Sequence, residues 1–279
     1  PAPTTAAPTP ASPTPGTTVA PGQVQFATLT PLRRADLRDG WLVVHVAAID
    51  DTALARVQDS TGYGATWLWA GHRSIPNEVR ELGPIHLVSP SGVQRLDAYG
   101  RIAADANGWL VAYRRTGAKK PALALRGAPA GQARVRVAPK PKPIKRTHAM
   151  AARMRELLAK ADVGADVIRR LGRYELQIVP GSFPGANRIV SVAAYATGVD
   201  DDDPGEYNGV VFTLDERDAI QQAVVPSGDP TVVDGVVDLD GDGLDEVLTT
   251  SSGYESGSGD VHRLTQGNVE TFNLWSHDE

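Results

Sequence analysis

Short apolar or alternating runs, separated by Gly, Pro, Asp or Asn, set the pattern of most of the chain. Between residues 24 and 137 the runs Trp41 to Ile49 (WLVVHVAAI), Ala65 to Ala70, Pro84 to Ser89, Gly108 to Arg114, Pro121 to Arg126 and Ala133 to Ala138 have strand length and strand periodicity. Several such strands at short spacing predict a β-sandwich or barrel-like first domain. Ala138 to Arg146 (APKPKPIKR) then interrupts the pattern. Three prolines alternating with lysines favour extended, polyproline-like backbone, so residues 138–146 are expected as the linker between domains.

A 3.6-residue period follows. Met150, Met154, Leu157, Leu158 and Ala161 fall at i, i+4, i+7, i+8 and i+11, one face of a helix that Thr147 is placed to cap. A shorter helix through Val167, Ile168 and Leu171 is expected to stop at Gly172. From Tyr174 the strand pattern returns in Glu175 to Val179, Arg188 to Ala194, Gly209 to Leu214, Ala219 to Val225, Val232 to Val237, Glu246 to Thr250, Val261 to Leu264 and Val269 to Leu274. The second domain, residues 147–279, therefore reads as helices followed by an antiparallel β-meander. The fold class is mainly β with a short helical segment, α+β overall.

Composition changes this picture at the N-terminus. Residues 1–22 (PAPTTAAPTPASPTPGTTVAPG) hold Pro, Thr, Ala, Ser and Gly with one Val and no charge. Such a tract buries too little apolar surface to offset the entropy of ordering and reads as a disordered tether. It is similar to the spacers of exported bacterial proteins and lipoproteins, although no cysteine is present to carry a lipid. With Pro1 at the start and no basic-then-apolar leader, the expectation is an extracytoplasmic protein whose targeting peptide has been removed. No run reaches the ~18 apolar residues that a membrane span requires.

Charge divides the chain. Residues 1–150 carry 19 Lys plus Arg against 9 Asp plus Glu, and residues 151–279 carry 9 against 24. A basic half and an acidic half support the two-domain reading. Nucleic acid is a poor partner, because the basic half lacks a recognisable reading motif. Zero cysteines exclude thiolate catalysis, Cys-ligated zinc and iron–sulfur clusters. A metal would have to be held by oxygen or imidazole.

The one sharp motif is acidic. In DLDGDGLDE, Asp238, Asp240 and Asp242 stand at positions 1, 3 and 5, Gly243 at 6, Leu244 at 7 and Glu246 at 9. Five acids in nine residues, counting Asp245, repel one another unless a cation joins them. Calcium prefers six to eight hard oxygens in flexible geometry, and alternating carboxylates on a Gly-containing turn supply them. An EF-hand would need a bidentate Glu at position 12, where Thr249 stands, and the flanks read as strands. The segment from Val232 to Leu264 resembles the calcium loop of FG-GAP and related integrin-type propeller repeats. That resemblance implies Asp238, Asp240, Asp242, the carbonyl of Leu244 and Glu246 as ligands of a structural Ca2+. A single copy of the motif, where propellers use four or more blades, predicts that the fold is not a closed propeller.

Other signals are weaker. Asp200 to Asp203 with Glu206 form either a second cation site or, as the spacing favours, a solvated loop. Tyr254 and Glu255 lie in a Gly-Ser loop that would line a binding face or simply be mobile. Arg114, Arg115, Lys119 and Lys120 read as a charged hairpin tip with a possible anionic partner, and Trp67 and Trp69 share a strand face suited to core packing or sugar stacking. His45, His72, His86, His148, His262 and His277 show no ligand spacing, and no nucleophile elbow, P-loop or zincin motif is present. The expectation is thus an exported calcium-binding protein with a binding or envelope-scaffolding role toward a glycan, an envelope component or a protein. The alternative is an extracytoplasmic hydrolase acting on glycan or peptide through loop carboxylates.

Overall fold

The computed structural model describes residues 129–196, 207–253 and 256–278, together with shorter segments between residues 26 and 125. Its strands form antiparallel sheets throughout, and none of the sheets closes on itself. In chain order the first strands are β1 (Phe26–Thr30), β2 (Trp41–Ala47), β3 (Leu68–Trp69), β4 (Ile85–Ser89), β5 (Gly92–Leu96), β6 (Tyr99–Asp105), β7 (Gly108–Arg114) and β8 (Leu123–Leu125). They make one eight-stranded sheet in the order β3-β6-β7-β2-β1-β8-β4-β5. β1, β5 and β6 are additions to the sequence-based expectation. They are short or weakly apolar and depend on their neighbours for hydrogen bonds.

The strand expected over Ala133 to Ala138 is only β9 (Arg136–Val137), and the Pro-Lys segment contains a strand of its own, β10 (Lys142–Ile144). Two helices follow, α1 (Ala149–Lys160) and α2 (Ala165–Arg170). The remaining strands are β11 (Leu171–Phe183), β12 (Ala186–Ala196), β13 (Tyr207–Leu214), β14 (Ile220–Val225), β15 (Thr231–Val237), β16 (Glu246–Ser252), β17 (Ser256–Thr265) and β18 (Asn268–Asp278). β11 to β14 form one four-stranded meander, with β10 added beside β11. β15 to β18 form a second, with β9 added beside β15.

Local chemistry explains the helix ends, which differ from expectation by a residue or two. The cap of α1 is His148, not Thr147, because the His148 ring nitrogen Nδ1 accepts the Met150 N–H at 3.1 Å. At the other end Asp162 takes a left-handed φ of 58°, and Val163 N–H reaches Leu158 O at 3.0 Å, the 6→1 bond of a Schellman ending. α2 stops at Arg170 rather than Gly172. Leu171 already belongs to β11, and Gly172 lies where the β11–β12 register shifts.

Among the described residues, three cores separate four layers. Met150, Met154 and Leu158 of α1 pack on Tyr174, Val190, Val192, Val210 and Phe212, one face of the first meander. Its other face, through Val179, Ile189, Val211 and Val224, meets Val233, Val236, Val247 and Leu264 of the second. The far face of that second meander, through Val237, Leu248 and Val261, packs on Val88, Leu123 and Leu125 together with Ala133 and Val135. Strands from both sides of the Pro-Lys segment therefore share one core. β13 is buried at every position from Gly209 to Leu214, which accounts for its unbroken apolar run. Among the described residues no helix is long and apolar enough to cross a membrane.

Where the two meanders meet, β15 has a free edge that β9 covers only in part. β9 pairs with Gly235 and Val236, and Ala138 N–H donates to Asp234 O at 3.0 Å. Beyond that point the Gln177 carboxamide takes over. Its Nε2 donates to Val233 O at 2.7 Å and Pro139 O at 2.6 Å, and its Oε1 accepts Val233 N–H at 2.9 Å. Further along, the Ser191 hydroxyl donates to Thr231 O. Gln177 is 3% exposed, so removing its amide strands three backbone groups away from water. Gln177→Leu is expected to cost about 2–4 kcal/mol, measured as a lowered urea midpoint with an unchanged m-value.

Candidate metal centre

The acidic loop connects β15 to β16 and is shaped by its own carboxylates. Asp238 Oδ1 accepts Gly241 N–H at 2.7 Å and Oδ2 accepts Gly243 N–H at 3.1 Å. Asp240 Oδ1 accepts Asp242 N–H at 3.2 Å, and Asp242 Oδ1 accepts Leu244 N–H at 2.7 Å. These overlapping Asx turns need a left-handed backbone twice. Gly241 and Gly243 provide it, with φ of 81° and 87°.

The turns gather one oxygen from each of Asp238, Asp240 and Asp242 within 4.8 Å of one another. Oxygens bound to a common calcium at 2.3–2.6 Å lie at most about 5 Å apart, so the spacing suits a cation of that size. A single cationic side chain faces the group among the described residues. Arg263 of β17 pairs with Asp240, and its Nε lies 4.0 Å from Glu246 Oε1.

Leu239 fixes the loop to the body of the protein. Its side chain is buried with Val237 and Val261, its carbonyl accepts Ala130 N–H at 2.7 Å, and its N–H donates to Glu246 Oε2 at 2.8 Å. Glu246 thus stands beneath the three aspartates with its side chain 8% exposed. Burial pushes its carboxyl up from the ordinary 4.5 to about 8. The Leu239 N–H and Arg263 oppose that rise, while Asp240 and Asp242 add to it. A bound cation would favour the ionised form that burial disfavours.

Of the five residues expected as ligands, Asp238, Asp240 and Asp242 converge. Glu246 lies at the base of the loop with one oxygen committed to Leu239, and Leu244 is half-buried with its N–H on Asp242. The fifth acid of the motif, Asp245, turns the other way. Its Oδ2 accepts Ser182 N–H at 2.6 Å and pairs with Arg136, while its own N–H donates to Ser182 O at 2.8 Å. Asp245 therefore clasps the start of β16 to β11 and to β9. Those partners lie 63 and 109 residues away in sequence, and the sequence carries no local signal for them.

The residue at the EF-hand glutamate position is also accounted for. Thr249 Oγ1 lies 2.9 Å from His262 Nε2, and His262 Nδ1 lies 3.0 Å from Thr271 Oγ1. His262 is a buried histidine held between two threonines of neighbouring strands, and burial lowers its pKa.

A surface groove lies near the same end of the sheets, lined by Phe183, Gly185, Ala186, Asn187, Asp215, Glu216 and Arg217. Asp215 is engaged in its own turn, accepting the N–H groups of Arg217 and Ala219 at 2.8 Å and the Gln221 amide at 3.0 Å. The second carboxylate of the lining is thus held in its turn beside Glu216. Asp200 to Asp203, Glu206, Tyr254, Glu255, Arg115, Lys119, Lys120 and Trp67 lie outside the described residues, as do the side chains of Arg114 and Trp69.

The fold and site define an open, layered antiparallel β protein with an acidic, cation-sized loop. Comparisons of the chain with protein-family models, curated proteins and solved structures give no match.

Two measurements probe this geometry. Asp245→Ala leaves Ser182 N–H and Arg136 unanswered and is expected to cost about 1–3 kcal/mol, read by chemical denaturation in chelator so that cation binding does not contribute. With divalent ions chelated, folded Glu246 keeps a proton up to about pH 8, whereas an unfolded glutamate releases it near 4.5. The folded chain then binds the extra proton, so stability falls as pH rises across that window. Glu246→Gln should flatten that slope in urea midpoints taken at successive pH values; an unchanged slope assigns the titration to another group.

Proposed function

We propose that the protein is an extracytoplasmic calcium-binding protein in which Ca2+ holds the β15–β16 loop in place, and that its role is binding or scaffolding in the cell envelope. The observation that carries the metal reading is the convergence of Asp238, Asp240 and Asp242 on a loop that ends at Glu246, which is buried beneath them. Leu244 through its carbonyl and Glu246 complete the ligand set.

The arrangement around the loop supports its resemblance to an FG-GAP-type repeat. A four-stranded antiparallel meander carries the loop between its first two strands and stacks face to face on a second four-stranded meander, as neighbouring propeller blades do. The uncharged Pro/Thr/Ala tract of residues 1–22 supports an exported, tethered protein. Calcium here is a structural element. The side chains around it are committed to loop hydrogen bonds and to Arg263, and none is a free nucleophile.

Calcium at about 100 times its Kd should add about 2.7 kcal/mol of stability, which for a chain of this size raises Tm by roughly 5–10 °C. Asp240→Ala should abolish most of that shift while keeping the far-ultraviolet circular dichroism of the wild type in chelator. A wild-type Tm indifferent to calcium would falsify the reading.

A further inference from the structure

Between Ala106 and Arg155 the chain contains no Asp or Glu and thirteen Lys or Arg. Where this stretch is described, it places Arg134, Lys140, Lys142, Lys145 and Arg146 on the surface, all exposed, along the edges formed by β9 and β10. None of the five takes part in the ion pairs found among the described residues. The sixth cation of the segment, Arg136, is neutralised by Asp245.

The backbone that carries them is held firmly. Pro139 O accepts the Gln177 amide at 2.6 Å, β10 pairs with β11 from Lys142 opposite Leu176 to Ile144 opposite Tyr174, and Lys145 O accepts His148 N–H at 2.9 Å. Lys140 and Lys142 are therefore fixed about 7 Å apart along extended chain, and Lys145 and Arg146 follow at the turn into α1. Five like charges on a rigid edge repel one another, and a partner of opposite charge removes that repulsion without having to order the backbone.

We infer that this edge docks a linear anionic polysaccharide. A strand-adding peptide is a poor occupant, since Pro141 and Pro143 have no N–H to offer at the open edge. Single-stranded nucleic acid would call for stacking surfaces, and residues 134–146 include no aromatic. A bilayer would call for a broader apolar footing than Val137 provides. Exposed lysines along a firmly held segment suit a polymer that repeats its own charge and needs no bidentate fork. The inference rests on the binding role proposed above and gives that role a partner class and a surface, but it does not depend on the metal.

The test measures binding of the full chain, in calcium, to dextran sulfate, with uncharged dextran as control. Wild type should bind dextran sulfate at low salt, lose it at high salt and ignore dextran. Lys140→Ala, Lys142→Ala, Lys145→Ala and Arg146→Ala combined should bind roughly 30-fold more weakly while keeping the calcium-induced rise in Tm. Lys140→Glu with Lys142→Glu serves as a second variant of the same surface, should the fourfold one fold poorly. Wild-type binding by either folded variant overturns the inference, as does equal or tighter binding to oligothymidylate or to anionic phospholipid vesicles. A calcium-induced rise in Tm without dextran sulfate binding removes the polysaccharide and leaves the metal reading standing; the opposite pattern removes the metal alone.

Discussion

A strand packed between two sheets must find a partner for every N–H and C=O it carries, and β15 is the strand on which that demand is hardest to meet. It is buried on both faces, through Val233 and Val236 on one side and Val237 on the other. β16 satisfies one edge, but β9 is only two residues long and leaves most of the other edge open. The first meander closes the gap with side chains, Gln177 on Val233 and Ser191 on Thr231. Without those bonds the inter-sheet core would have to form over unsatisfied amides, each a cost comparable to a lost side-chain burial.

The acidic loop inherits its position from that seam. Leu239 is locked into the core, so the turn begins at a fixed point, and Asp245 is locked onto Ser182 and Arg136, so it also ends at one. Between these anchors the chain folds three carboxylates together, with Arg263 as partial compensation. The residual repulsion and the buried Glu246 are therefore imposed by packing that favours the rest of the fold. A divalent cation would relieve both at once, which supports the structural role proposed for it.

The sequence was most legible where an apolar stripe or an unbroken apolar run marks what the core covers. The α1 stripe at Met150, Met154 and Leu158 packs as its spacing predicts, and β12, β13, β15 and β16 overlap the expected runs. It was least legible where an element is stabilised by something distant. β10 is written in prolines and lysines and becomes a strand because β11 supplies a ladder beside it. Thr147 is a better capping residue by propensity than His148, yet the ring that accepts Met150 N–H belongs to His148.

At the candidate site the same division holds. Spacing alone determined that Asp238, Asp240 and Asp242 would converge, because their turns are closed by N–H groups no more than five residues away. Composition alone determined the absence of cysteine chemistry, the uncharged leading tract and the separation of basic from acidic halves. Only the tertiary structure decided that Asp245 faces away from the other acids, that Glu246 is buried beneath them, and that Gln177 closes the edge of β15. Local hydrogen bonds can be read from neighbouring residues, whereas burial and bonds across 56 to 109 positions exist only once the sheets have stacked.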